Sequence, residues 1–290
     1  MTSIKSQIAN IQSQLESVYP ADEAEALAWW VAEETTGLSR TELQIGCKDT
    51  TFFANMQKII PRLLNFEPIQ YIFGHTLWAG LDLKVTPATL IPRPETAELV
   101  ERISNFKFQI SNIPVKILDI GTGSGCIAIA LKKRHPEWQV TGIDISEEAI
   151  EVAKENAIRN NVEVSFIQKD IFADFLGFLA GERHDSFGFN GTFDVIVSNP
   201  PYIRESEKSS MRPNVLQHEP GLALFVPDED PLRFYRRIAL LHLGTYLFFE
   251  INEAFPQELS DLLDNSGYTD IQITNDIYGK PRIIQARSTR

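Results

Sequence analysis

Apolar residues recur down one face of the opening segment. Ile4, Ile8, Ile11, Leu15 and Val18 follow one another at helical spacing, and Pro20 interrupts the stripe. Ala24, Leu27, Ala28, Val31 and Ala32 form a second stripe that Gly37 is placed to cap. Ser39 or Thr41 can start a short third helix, and Phe52, Phe53, Met56, Ile59, Ile60 and Leu63 mark a fourth. The pattern predicts a small helical domain over residues 1–68. From Pro68 to Pro94 the period shortens. Ile69–Phe73, Thr76–Trp78, then Leu81, Leu83 and Val85 after Gly80 read as strands with a turn between them. Pro87, Pro92 and Pro94 stiffen the exit, so residues 69–95 are expected to form a β-hairpin connector. A helix over Ala97–Ile103, started by Thr96 or Glu95, and a loop from Asn105 to Pro114 follow.

From residue 115 strands and helices alternate, so residues 96–290 are expected to be an α/β domain with a doubly wound, mostly parallel sheet. The strands are read at Val115–Ile120, Gln139–Asp144, Val162–Gln168, Phe193–Ser198, Thr245–Ile251, Thr269–Thr274 and Arg282–Ala286. Helices are read at Cys126–Arg134, Glu147–Asn160 with Ser146 as N-cap, Leu232–Leu243 and Phe255–Asn265. Gly177 to Gly191 reads as a surface loop. The segment from Ile203 to Pro231 lacks periodicity and reads as a long loop, the kind that serves as a lid or stays disordered.

Composition narrows the classes. Net charge is −12, from 27 Lys+Arg against 39 Asp+Glu, and residues 1–68 hold 5 basic and 9 acidic residues. That balance disfavours tight nonspecific nucleic-acid binding and suits a protein partner or a cationic small molecule. Cys47 and Cys126 are too few for a disulfide framework or a thiolate metal site, and the five histidines have no ligand spacing, so no metal is expected. No apolar run approaches the roughly 18 residues of a membrane span, and the first residues lead into an amphipathic pattern rather than a signal peptide. A cytoplasmic protein is expected.

Two stretches carry chemistry. Gly121-Thr122-Gly123-Ser124-Gly125 lies between a strand and a helix, where glycines permit a tight turn and close approach of a ligand. The spacing is G-x-G-x-G, not the dinucleotide fingerprint, and no Lys follows to grip a phosphate. Asp144 ends the next strand 19 residues beyond Gly125, where a carboxylate can accept both ribose hydroxyls of an adenosine. Asp170 is placed to meet an adenine amino group, with Ile171 and Phe172 as an apolar face for the ring. A nucleoside site without phosphate grips, in an acidic chain, suggests S-adenosyl-L-methionine. The second stretch, Asn199-Pro200-Pro201-Tyr202, breaks a buried strand, because proline donates nothing to a ladder. Its bland reading is a strand terminator. Beside an S-adenosylmethionine site it becomes a clamp for a planar nitrogen: the Asn199 oxygen and the Pro200 carbonyl accept both N–H groups, and Tyr202 offers a flat surface.

At these residues the sequence resembles a known family. Pro68-Ile-Gln-Tyr-Ile-Phe-Gly74, Ile91-Pro-Arg-Pro-Glu-Thr96, Ile117-Leu-Asp-Ile-Gly-Thr-Gly-Ser-Gly125, Asn199-Pro-Pro-Tyr-Ile203, Glu219-Pro220, Ala223-Leu224 and Asp230-Pro-Leu-Arg-Phe-Tyr235 are similar to the HemK-type peptide-chain-release-factor glutamine N5-methyltransferases. The resemblance implies a class I S-adenosylmethionine-dependent fold. It also implies methylation of the glutamine in the Gly-Gly-Gln loop of class I release factors, contacted by the helical N-terminal domain. Carried over, Gly121 to Gly125, Asp144 and Asn199 bind cofactor, Asn199 to Tyr202 hold the glutamine amide, and Arg93 and Glu95 line the acceptor entrance or pin the hairpin. Members often carry an aromatic residue where this chain has Ile171. Three alternatives remain: a ribosomal-protein glutamine methyltransferase, whose motif tends to read Arg-Ser-Pro where this chain has Arg93-Pro94-Glu95; a nucleic-acid adenine or guanine amino-methyltransferase, which must also hold a flipped base; and a catalytically dead cofactor-binding adaptor.

Overall fold

Phe193–Ser198 is buried at all six positions, as a central strand covered on both faces must be. It lies in a seven-stranded sheet of the computed structural model, which describes residues 4–45, 52–109, 114–173 and 193–290. The described chain falls into two compact units, residues 1–74 with 212–218, and residues 75–211 with 219–290.

The first unit is helical: α1 (Ile4–Leu15), α2 (Ala21–Thr36), α3 (Arg40–Ile45), α4 (Phe52–Leu64) and α5 (Ile69–Phe73). The predicted stripes are its core, with Ile11, Leu15, Ala24, Ala28, Val31, Leu43 and Leu63 almost wholly buried. Gly37 caps α2 as expected, at φ 68° with its N–H on the Glu33 carbonyl. The segment Ile69–Phe73 is a helix, not a strand. Pro68 sets the entry, Gly74 closes the turn at φ 77°, and Ile69 and Tyr71 face inward. Five residues are too few to separate a two-residue period from a helical one. Residues 212–218 also pack here: Arg212 meets Glu23 at 3.2 Å, and His218 reaches the Asn65 carbonyl at 2.9 Å.

The second unit begins with the hairpin β1 (His75–Trp78) and β2 (Leu81–Lys84), in the expected place. Helix α6 (Pro94–Ser104) follows, with proline at its first position and Leu99, Val100 and Ile103 buried. Then come β3 (Lys116–Ile120), α7 (Cys126–Arg134), β4 (Gln139–Asp144), α8 (Glu147–Arg159), β5 (Ser165–Gln168) and β6 (Phe193–Ser198). The predicted cap is present, with Ser146 Oγ accepting from the Ala149 N–H. The sheet closes with β9 (Gly244–Glu250), β10 (Tyr268–Asn275) and β11 (Pro281–Ser288), separated by the helices Arg233–Leu241 and Pro256–Asn265. Strand order is β10-β11-β9-β6-β3-β4-β5; β5, β4, β3, β6 and β9 are parallel, and β11 alone is reversed, pairing antiparallel with both β9 and β10. Large apolar clusters on both faces of the sheet bury it. The carboxyl ends of β3, β4 and β6 therefore lie side by side at the rim where an open α/β sheet binds ligands.

The loop expected over residues 203–231 is corrected. It holds β7 (Ile203–Arg204) and a 3-10 turn at Glu205–Ser210, then α9 (Pro213–His218), α10 (Gly221–Leu224) and β8 (Phe225–Val226). β7 and β8 pair in parallel. Elements of two to six residues leave no period to read. The surface loop expected at Gly177 to Gly191 lies outside the described residues, as does part of the Asn105 to Pro114 loop. No described helix is long and apolar enough to cross a membrane.

Candidate active site

The glycine loop leaves β3 and turns immediately. The Gly121 and Thr122 N–H groups both donate to the Ile143 carbonyl at 2.9 Å, and the Gly125 N–H donates to the Thr122 carbonyl at 2.8 Å. Gly121, Gly123 and Gly125 have φ of 72°, 54° and 80°, left-handed values that side chains resist. A Cβ at Gly121 or Gly123 would meet nothing within 4 Å, whereas one at Gly125 would stand 3.0 Å from Ile129 and Phe166. The first two glycines thus face open space, and the third lets α7 pack against β5.

The side chains between them point inward. Thr122 and Ser124 are 3% and 2% exposed, so their side chains are not available to a ligand. The Thr122 hydroxyl donates to Asp119 at 2.6 Å, and burial raises the Asp119 pKa to about 7. Asn156, fully buried on α8, fastens the loop from beneath. Its Nδ2 donates to the Ser124 and Lys84 carbonyls at 2.9 Å, and its oxygen accepts from the Lys84 N–H at 2.6 Å. One side chain therefore ties the hairpin, the glycine loop and α8 together.

Asp144 ends β4 beside the loop. One of its oxygens accepts from the Gly123 N–H at 2.9 Å and the other from the Ser146 N–H at 3.0 Å. Burial raises its pKa, against the pull of those donors. Each carboxylate oxygen keeps a further lone pair. Asp170 follows β5, where Gln168 pairs with Asp144. One Asp170 oxygen accepts from the Phe172 N–H at 2.8 Å, an Asx turn. Ile171 is 8% exposed and belongs to the core, while Phe172 is 41% exposed and packs edge-on against Phe234.

At the end of β6 the chain breaks at Asn199, as the prolines require. The Asn199 Nδ2 donates to the Thr96 hydroxyl at 3.2 Å, and Thr96 donates to Glu250 at 2.7 Å. The Tyr202 hydroxyl reaches the other Glu250 oxygen at 3.3 Å, and the Tyr202 carbonyl accepts from Asn252 at 3.0 Å. Pro200 is buried and Tyr202 half-buried. Burial raises the Glu250 pKa to about 6, with Thr96, Arg282 and Tyr202 opposing the rise. Burial also lifts the Tyr202 phenol above its ordinary range. Sequence reasoning missed Glu250. Its signal was a lone carboxylate closing the apolar run Tyr246–Phe249, at the rim where β9 runs beside β6.

Arg93 meets Glu219 at 2.6 Å, and that carboxylate is 1% exposed. Ile91 N–H also donates to it, and the Trp78 indole donates to the Arg93 carbonyl at 2.7 Å. Arg93 thus ties the hairpin to the turn before α10. Truncating it leaves a buried carboxylate without its cation. Arg93→Ala is expected to lower the unfolding free energy by about 2 kcal/mol. Urea titration checks this against Arg40→Ala, whose partner Glu25 is half-exposed and which is expected to cost under about 0.5 kcal/mol.

Comparison with known proteins agrees with this layout. A family model described as PrmC N-terminal domain matches residues 8–74, and one described as Methyltransferase small domain matches residues 99–218. A release factor glutamine methyltransferase from Bacteroides thetaiotaomicron is 43% identical over 288 residues, 96% of this chain and 98% of its own length. One from Flavobacterium psychrophilum is 39% identical over 291 residues, 97% of this chain and 98% of its own length. In fold, the chain is similar to the N-terminal domain of human METTL16 solved in complex with SAH. That likeness has a TM-score of 0.50 at 16% identity and covers 73% of this chain and 77% of the other.

Proposed function

The chain belongs to the release factor glutamine methyltransferases, and we propose that it transfers a methyl group from S-adenosyl-L-methionine to a glutamine of class I release factors. The acceptor is the side-chain amide nitrogen of the glutamine in their Gly-Gly-Gln motif. The observation that carries this reading is the Asn199 amide. Its NH₂ is turned toward Thr96, to which one N–H donates, so its oxygen is the end that faces away, toward a ligand. That oxygen and the Pro200 carbonyl accept the two N–H groups of a planar amide, hold the nitrogen and favour localisation of its lone pair. Pro201 confines Pro200 to extended backbone, which keeps that carbonyl aimed. Tyr202 supplies a flat wall. The nitrogen sheds its proton after methylation, so no strong base is required beforehand.

The residues at the rim fit a nucleoside cofactor. Open space lies above Gly121 and Gly123, the loop carries no Lys or Arg to meet a phosphate, and Asp144 keeps a lone pair on each oxygen for a ribose. When bound, S-adenosyl-L-methionine supplies an electrophilic methyl group and leaves as S-adenosyl-L-homocysteine. Asp170 would reach the adenine edge with its second oxygen. Because Ile171 lies in the core, Phe172 is the better placed of the two to flank the ring. The helical residues 1–68 would contact the release factor, and the enzyme would work in the cytoplasm.

Incubation with labelled S-adenosyl-L-methionine and a release factor, a ribosomal protein or RNA tests the reading. The expected outcome is label in the release factor alone, with mass spectrometry placing one methyl on the Gly-Gly-Gln glutamine. Label confined to RNA or to the ribosomal protein overturns it.

A further inference from the structure

The wall behind Asn199 has a directionality that the methyl-acceptor clamp depends on. We infer that Glu250 and Thr96 are positioning residues that set the polarity of the Asn199 amide, forcing its oxygen rather than its NH₂ toward the acceptor nitrogen. The inference rests on the acceptor role of Asn199 proposed above.

The argument is a count of protons. A threonine hydroxyl has one proton to give, and an ionised carboxylate can only accept. Thr96 stands 2.7 Å from Glu250 and 3.2 Å from Asn199 Nδ2. Its single proton goes to the carboxylate, so toward Asn199 it can offer only a lone pair. An amide turned the other way would set two oxygens against each other. Only the NH₂ can face Thr96, and the oxygen is left for the ligand. Glu250 is 1% exposed, and water cannot take over its role without opening the core.

The same carboxylate accepts from Tyr202 at 3.3 Å through its second oxygen, and the Glu250 backbone carbonyl accepts from the Tyr235 hydroxyl at 3.0 Å. One side chain therefore secures both ends of Asn199–Tyr202. Its pKa of about 6 keeps it ionised, and acceptor-only, at neutral pH. Thr96 closes the conspicuous stretch Ile91–Thr96, which gains through this contact a task in the active site as well as in the hairpin.

If Glu250 is removed, the Thr96 proton is free to go to the Asn199 oxygen, and the amide can present NH₂ to a nitrogen that also carries N–H groups. Glu250→Met keeps volume and removes the acceptor. Thr96→Val removes the hydroxyl, and Thr96→Ser restores it. In the release-factor assay, Glu250→Met and Thr96→Val are each expected to lower kcat at least about tenfold, with Thr96→Ser within about threefold of the parent. Calorimetry with S-adenosyl-L-homocysteine is expected to keep all three within about threefold of the parent affinity, which shows that they are folded. A kcat in Thr96→Val equal to the parent's, or Thr96→Ser falling as far as Thr96→Val, overturns the relay even if Glu250→Met fails to fold. A parent enzyme that methylates no glutamine overturns the acceptor assignment instead, and the two failures are distinct.

Discussion

Replacing Asn199 with alanine is expected to lower turnover about a thousandfold, while affinity for S-adenosyl-L-homocysteine stays within about tenfold. The side chain sits where β6 ends, three strands meet at the rim, and Thr96 already holds its NH₂. Alanine takes away the oxygen proposed to meet the acceptor, but leaves Gly121 to Gly125 and Asp144, which carry the larger part of the proposed cofactor contact. The loss therefore falls on kcat rather than on cofactor binding. Asn199→Asp is expected to be no better. A carboxylate would face Thr96 Oγ1, whose one proton already goes to Glu250, and it would bring a second negative charge near that residue. Single-turnover transfer of labelled methyl groups to a release factor, with calorimetry beside it, separates the two quantities. A turnover within about fivefold of the parent enzyme would show that Asn199 does not hold the acceptor.

The parts of this molecule that the sequence makes legible are those whose periodicity runs long enough. Cys126–Arg134, Gln139–Asp144 and Phe193–Ser198 begin and end where the apolar pattern says they should, because their termini carry strong markers: Gly125, the acid at 144, and Pro200 with Pro201. Ile69–Phe73 went the other way for want of length, and the short elements after Tyr202 left no period at all. β5 starts three residues later than its apolar pattern suggests, at Ser165 rather than Val162. Val162 and Val164 are still partly buried against the core, so the apolar signal was correct even though pairing with β4 begins only at Ser165.

Within the candidate site, the residues proposed to meet a ligand at the surface of the fold could be named from their type and position: the glycines, Asp144 and Asn199. Residues that act from behind could not. Thr96, Glu250, Asn156 and Glu219 are each far in sequence from what they hold; Thr96 and Asn199 are 103 positions apart, and Arg93 and Glu219 are 126 apart. No local pattern records such a pairing. A buried carboxylate such as Glu219 or Glu250 is costly without a partner, so its presence in an apolar setting signals that a partner exists without saying which. Thr122 and Ser124 differ from the glycines around them. They sit inside the glycine loop, yet their side chains serve the loop's underside.

Asp144→Ala is expected to weaken binding of S-adenosyl-L-homocysteine at least about a hundredfold, roughly 2.7 kcal/mol, with a smaller effect in Asp144→Asn. The carboxylate has two tasks at once. It accepts the Gly123 and Ser146 N–H groups, which holds the glycine loop against the start of α8, and the remaining lone pair on each oxygen is what a pair of ribose hydroxyls would meet. Two charge-assisted hydrogen bonds of about 1.5 kcal/mol each already account for the loss. Any loosening of the loop at Gly123 adds to it. Asparagine keeps one acceptor oxygen and turns the other position into a donor. It must therefore choose between the Gly123 and Ser146 amides, and it lands between alanine and the parent. The N-cap made by the Ser146 hydroxyl to Ala149 is untouched, so α8 and the Asn156 clamp are expected to survive, and urea midpoints of all three proteins should agree closely. Calorimetric affinity within about threefold of the parent in Asp144→Ala would show that the ribose is held elsewhere. A collapsed urea midpoint with proportionally weaker binding would show instead that Asp144 serves the loop alone.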